Sequence, residues 1–123
     1  MATTHFIDII GPIYQDLLKS CERRKIAVNL DVQDLSFGVS ADDATIIEKF
    51  YKAEIKRAIK NCAAGDKITL SQTITDDYYR IAVKNSGANT LPAEDKAALI
   101  EAGFEVRARF GYDTIIALKL PRR

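Results

Sequence analysis

The chain has 123 residues, enough for one domain and too few for two domains with separate cores. With 47% hydrophobic and 28% charged residues its composition excludes the disordered, collagen-like and coiled-coil classes. Lys and Arg number 18 against 17 Asp and Glu, a formal charge of +1, so any affinity for nucleic acid or membrane would have to come from a local patch. No apolar run approaches the roughly 18 residues of a membrane span. The start, Met1-Ala2-Thr3-Thr4-His5-Phe6, lacks the basic-then-apolar order of a secretory signal, so a cytoplasmic location is expected.

Three stretches read as helices and six as strands. From about Thr4 to Arg24, Phe6, Ile10, Ile13, Leu17 and Cys21 recur every three or four positions, the stripe of an amphipathic helix. Gly11-Pro12 is expected to kink this helix or split off its first turns. Arg23-Arg24-Lys25 suits its carboxyl end. Ile26 to Val32 alternates as a strand, and a short strand is expected around Phe37 to Val39. Ser40, followed by Asp42 and Asp43, opens a second helix that runs to about Ala63. Its inward stripe reads Ile47, Tyr51, Ile55, Ala58 or Ile59, and Cys62. Ala63-Ala64-Gly65-Asp66 forms a turn.

The strands Ile68–Ile74 and Tyr79–Val83 join across Thr75-Asp76-Asp77 as a hairpin. After a loop, Pro92 starts a short helix to about Ala102, ended by Gly103. Phe104–Arg109 and Thr114–Leu120 form a last hairpin, followed by a basic tail. Consecutive strands that form hairpins do not build a doubly wound parallel sheet. The expected architecture is a single α/β domain over residues 1–123: a two-layer sandwich, its sheet mixed but mostly antiparallel, with three helices on one face.

Cys21 and Cys62 fall on apolar stripes and read as small buried hydrophobes. With His5 the only histidine, no metal-ligand spacing exists and nothing marks a Cys–His catalytic pair. His5 is placed on the first helix, near the amino terminus, as a surface residue. Its phosphorylation is the weaker alternative.

The segment Arg57-Ala58-Ile59-Lys60, with the Gly65 turn and Lys67-Ile68-Thr69 after it, resembles the ATPase domain of sensor histidine kinases (the GHKL superfamily). There a helix ends in N-x-x-x-N-A-I-K and a Gly turn and strand follow. Val83-Lys84-Asn85-Ser86-Gly87-Ala88-Asn89 is similar to that family's V-x-D-x-G-x-G, and element order agrees along almost the whole chain. The resemblance implies a nucleotide site, and the departures from the pattern imply that the site is degenerate. The two Asn positions, one of which helps hold Mg²⁺ in the family, are Ala53 and Arg57. A methyl group and a guanidinium offer a hard cation no lone pair. The Asp that accepts the adenine amino group corresponds to Asn85, whose amide oxygen is expected still to accept, without the charge. Gly87 is kept and the second glycine is Asn89. The flexible lid and second glycine-rich segment have no counterpart before the final hairpin.

Lys49, Lys52, Lys56, Arg57 and Lys60 make a basic face on the second helix, with Arg57 about 200° from an inward stripe through Ile55. Besides a plain solvated face, this reads as docking for an acidic protein surface, or less readily for phosphate or nucleic acid. The aromatics Tyr78, Tyr79, Phe104, Phe110 and Tyr112 gather on the later strands and turns, either as core or as an exposed homodimer face. The leading expectation is a non-catalytic interaction or regulatory module in signalling, with a protein partner such as a response regulator. No membrane or nucleic-acid partner, metal, cofactor or catalytic residue is expected on this reading. The alternative is a residual ATP- or ADP-binding domain or altered ATPase using Ala53, Arg57, Lys60, Asn85 and Gly87, with ATP as its cofactor.

Overall fold

The structure is a computed structural model, and it describes residues 3–87, 91–108 and 113–122. Its elements run β1 (Thr4–His5), α1 (Phe6–Glu22), β2 (Ala27–Val32), β3 (Gly38–Val39), α2 (Ala41–Asn61), β4 (Lys67–Ile74), β5 (Tyr78–Asn85), α3 (Ala93–Glu101), β6 (Glu105–Arg107) and β7 (Thr114–Pro121). Five strands form one sheet in the order β2-β4-β5-β7-β6. The β2–β4 pair is parallel, with Ala27 opposite Lys67, and every other pair is antiparallel. The expected sandwich is observed, with the helices packed on one face of this sheet.

Two expectations at the amino end are corrected. His5 is not helical: it lies in β1, pairs with Gly38 of β3, and is exposed at the N-cap of α1 with no side-chain capping bond. The first-turn donors of α1 are satisfied from elsewhere in the chain, Phe6 N–H by the Phe37 carbonyl and Ile7 N–H by that of Leu35, both at 2.8 Å. Nor does Pro12 divide the helix, for α1 is one 17-residue element. Pro12 removes one ladder donor, but buried Ile9, Ile10, Ile13 and Leu17 hold the turns on both sides of it. Lys25, at φ 56°, ends this region in the left-handed conformation, and its carbonyl accepts from Gly65 N at 2.9 Å.

Ser40 caps α2 as expected, its Oγ accepting from Asp43 N at 3.1 Å. Ser40→Ala is therefore expected to lower stability by about 1 kcal/mol, read as a shift of the urea midpoint with unchanged slope. Two buried hydroxyls tie α2 to the sheet. Tyr51 donates to the Ser71 carbonyl at 2.8 Å, and Tyr79 donates to Asp43 Oδ2 at 2.9 Å. The core between the layers is built from Phe6, Leu17, Ile47, Tyr51, Ile68, Leu70 and Ile81, all essentially inaccessible.

On the sheet face away from the helices the central strands carry small residues, Ala82 opposite Ala117. Arg80 of β5 reaches across β7 to Glu105 of β6 at 2.6 Å, and Ala117, the β7 residue opposite Glu105, is fully buried. Among the described residues the aromatics do not collect into one exposed face. Tyr79 is buried with its ring centroid 5.0 Å from that of Phe37, and Phe104 packs against Phe50 at 5.5 Å. Tyr78 stays half-buried under Lys119 Nζ at 3.9 Å, while Phe110 and Tyr112 lie outside the described residues. No helix among the described residues is long and apolar enough to cross a membrane.

Candidate functional site

The carboxyl half of α2, the end of β5, the entry to α3 and the start of β7 enclose a cavity of about 440 Å³. It is lined by Ala53, Glu54, Lys56, Arg57, Ala58, Lys60 and Asn61 from α2, and by Val83 and Asn85 from β5. Leu91, Pro92 and Asp95 close one side, and Thr114 and Ile116 of β7 close the other. A volume of several hundred Å³ with mixed apolar walls and a few polar groups suits a small organic ligand.

The helix presents these residues because its buried stripe is rotated from the expected one. Ile47, Phe50, Tyr51, Glu54 and Ala58 are buried, whereas Ile55 and Ile59 are only half-buried. At about 100° per residue, Arg57 lies some 60° from Glu54. It flanks the buried stripe instead of standing opposite it, which corrects the sequence-based placement.

Glu54, 3% exposed, is a carboxylate that hydrophobic patterning missed. Its Oε1 accepts from Arg57 Nε at 3.0 Å, and Arg57 Nη1 reaches Asp95 Oδ2 of α3 at 3.7 Å. Burial holds the Glu54 carboxyl above the usual carboxylate range, and the neighbouring guanidinium opposes that rise. Arg57 thus bridges two elements beside the cavity and pairs with both acids that face it.

The floor is an amide pair. Asn85 Oδ1 accepts from the backbone N–H of Gly87 and from Asn61 Nδ2, each at 3.0 Å. The oxygen expected to accept from a ligand is therefore already committed, a correction to the role read for Asn85. Gly87 does not line the cavity. It lies against the end of α2 so closely that a Cβ there would stand 2.1 Å from the Asn61 carbonyl oxygen.

Among the expected nucleotide-site residues, Ala53, Arg57, Lys60 and Asn85 come together around the cavity, with Gly87 supporting Asn85 from behind. The expected interaction face divides. Lys56, Arg57 and Lys60 line the cavity, whereas Lys49 and Lys52 stand on exposed surface away from it. Lys52 bonds Glu48 at 2.8 Å and lies in the field of Asp16. Cys21 is buried and Cys62 half-buried, both as free thiols. Burial, and then the Asp66 carboxylate, push the Cys62 thiol up to about 11, so it stays protonated at neutral pH. His5 and Cys21 stand at opposite ends of α1, about 24 Å of helix apart, and make no catalytic pair.

A magnesium nucleotide does not fit the α2 wall. Ala53 supplies a methyl group, Arg57 supplies no lone pair, and the carboxylates of Glu54 and Asp95 are engaged by that same guanidinium. After α3 the chain turns at Gly103, φ 95°, straight into β6, leaving no segment there to cover the cavity. Sequence reasoning missed Glu54, Asn61, Asp95 and Thr114. The one available signal was a charged and an amide residue, Glu54 and Asn61, seven positions apart and so about two turns apart on one helix side.

No family model matches the chain, and no curated protein matches it. Solved structures do. The catalytic domain of histidine kinase ThkA aligns with a TM-score of 0.76 at 18% identity, over 98% of this chain and 98% of that one. The histidine kinase domain of a blue-light activated histidine kinase from Erythrobacter litoralis gives 0.76 at 16% identity, over 98% of this chain and 64% of that one. Histidine kinase ThkA in complex with the response regulator TrrA gives 0.77 at 16% identity, over 99% of this chain but 42% of that one. The chain has the fold of histidine kinase catalytic domains.

Proposed function

We propose that this chain is a non-catalytic signalling module that keeps the histidine kinase catalytic-domain fold and works by docking a protein partner, without magnesium–ATP chemistry. The observation that carries this reading is Arg57, tied to Glu54 and Asp95 at the cavity, beside the bare methyl of Ala53. A guanidinium so held repels a divalent cation and leaves no free carboxylate for one. The exposed cations of α2, Lys49 and Lys56 foremost, offer an acidic partner a charged surface that guides encounter. ThkA was solved with a response regulator, and by that fold-level analogy a response regulator is the partner proposed for this chain.

Calorimetric titration of ATP with and without Mg²⁺ tests the first half. Mg²⁺ is expected to bring no gain in affinity and no phosphate release, and a tenfold Mg²⁺-dependent tightening overturns the proposal. For the second half, Lys49→Glu with Lys56→Glu is expected to slow association with an acidic receiver domain about tenfold at low salt. An unchanged association rate removes the docking role of this face. The second reading, a ligand-binding domain, draws on the cavity itself.

A further inference from the structure

The cavity floor carries a polarity that neither reading above uses. Gly87 N–H is a donor by its chemistry, so the Asn85 atom that meets it at 3.0 Å must be the oxygen. Asn61 donates its amide nitrogen to that same atom, also at 3.0 Å, which fills both lone pairs. The Nδ2 group of Asn85 is left with two N–H donors and no partner among the described residues, on a side chain only 5% exposed that lines the cavity. That nitrogen keeps access to the cavity, where a bound group can supply the acceptor that the protein does not. Beside it, and nearer the surface, Asn61 has donated its nitrogen and keeps Oδ1 as an acceptor. Val83, Ala58, Leu91 and Ile116 give apolar walls, and Lys56 and Lys60, one helical turn apart, stand on the α2 side.

We propose that this cavity binds a 6-oxopurine mononucleotide of the GMP or IMP type, read by the amide pair Asn85–Asn61, with its phosphate at Lys56 and Lys60. The exocyclic atom protrudes furthest from the six-membered ring and so meets the deepest polar group, Asn85 Nδ2. A carbonyl oxygen accepts from that nitrogen and the adjacent ring N–H donates to Asn61 Oδ1. An adenine in the same pose sets amino group against amide nitrogen, donor against donor, and a ring nitrogen against Oδ1, acceptor against acceptor. The inference goes beyond the docking role and does not depend on it, and the phosphate needs no divalent cation where two lysines stand.

Calorimetry with GMP, IMP and AMP in the absence of Mg²⁺ tests it on the whole chain and on Asn85→Asp. The carboxylate keeps both internal bonds, since Gly87 N–H and Asn61 Nδ2 still find an oxygen, but it has lost the outward donor. Wild type is expected to bind GMP and IMP at least tenfold more tightly than AMP, and Asn85→Asp to lose that selectivity. Equal or tighter binding of AMP by wild type overturns the proposal, as does binding of none of the three. Selectivity that Asn85→Asp leaves unchanged overturns the role of Asn85. The docking reading is scored separately, by receiver-domain association, which Asn85→Asp is expected to leave intact.

Discussion

Replacing Gly87 by alanine is expected to lower the melting temperature by roughly 12 °C, the equivalent of about 3 kcal/mol for a domain of this size. The added Cβ would lie 2.1 Å from the Asn61 carbonyl oxygen and 2.7 Å from its carbonyl carbon. Both are backbone atoms at the last turn of α2, so no side chain can swing aside. Relief requires the 85–87 segment to move off the helix, which separates Asn85 from Asn61. The requirement is for space and not for an unusual dihedral, since the positive-φ glycines among the described residues are Gly65 and Gly103. Gly11→Ala is the matched control: nothing lies within 4 Å of its added Cβ, and it sits inside α1. It is expected to stabilise the fold by about 0.5–1 kcal/mol, because alanine has the lower entropy cost in a helix. Thermal unfolding followed by circular dichroism reads both. A Gly87→Ala protein that melts within a few degrees of wild type shows that the approach of β5 to α2 is not as close as described.

Arg57→Ala is expected to destabilise the protein by about 2 kcal/mol near neutral pH, through the partner it abandons. Glu54 is 3% exposed and its carboxylate would be left without a counter-charge. Loss of one member of a fully buried pair costs about 3–5 kcal/mol; the Arg57 side chain is 36% exposed, so solvent softens the loss. The pH dependence follows from the sign of the Glu54 shift. Its carboxyl is held above its ordinary value by burial, so protonation favours the folded state. That contribution is complete below the unfolded value, near 4, and is lost as pH rises through the folded one. Without Arg57 the folded value rises further. Arg57→Ala is then expected to cost most near pH 7 and little near pH 4. Glu54→Gln in the same chain is expected to recover most of the loss, because it removes the stranded charge. Urea unfolding of the two single variants and the double variant gives the coupling. A loss that is the same at both pH values, or that Glu54→Gln leaves uncorrected, places the effect in packing and not in charge.

Much of the fold was legible because apolar spacing and turn chemistry act locally. The α1 stripe from Phe6 to Cys21 is buried residue for residue. Ser40 capping α2, Gly103 ending α3 and the hairpin across residues 75–77 are each written in a few adjacent side chains. The departures arose where a distant segment supplied the missing interaction. Thr4–His5 became a strand because β3 lies beside it, and Pro12 was absorbed because four isoleucine and leucine side chains hold the helix around it. The stripe of α2 was misread by about one residue because isoleucines count as core in any pattern. Glu54 is charged and yet buried, which only an arginine one turn away makes tolerable.

The sequence alone determined the α/β fold class and that the side chains of Ala53 and Arg57 cannot hold a hard cation, since neither offers a lone pair in any conformation. The resemblance in motif spacing put Ala53, Arg57, Lys60 and Asn85 forward together, and the fold sets all four around one cavity. What the linear chain leaves open is direction. An amide has a donor end and an acceptor end, and which of them Asn85 turns outward is decided by Gly87 N–H and Asn61, the latter brought in from 24 residues away. Whether Arg57 is a free charge or a strut is decided likewise by Asp95, on a helix that approaches α2 only in the folded chain.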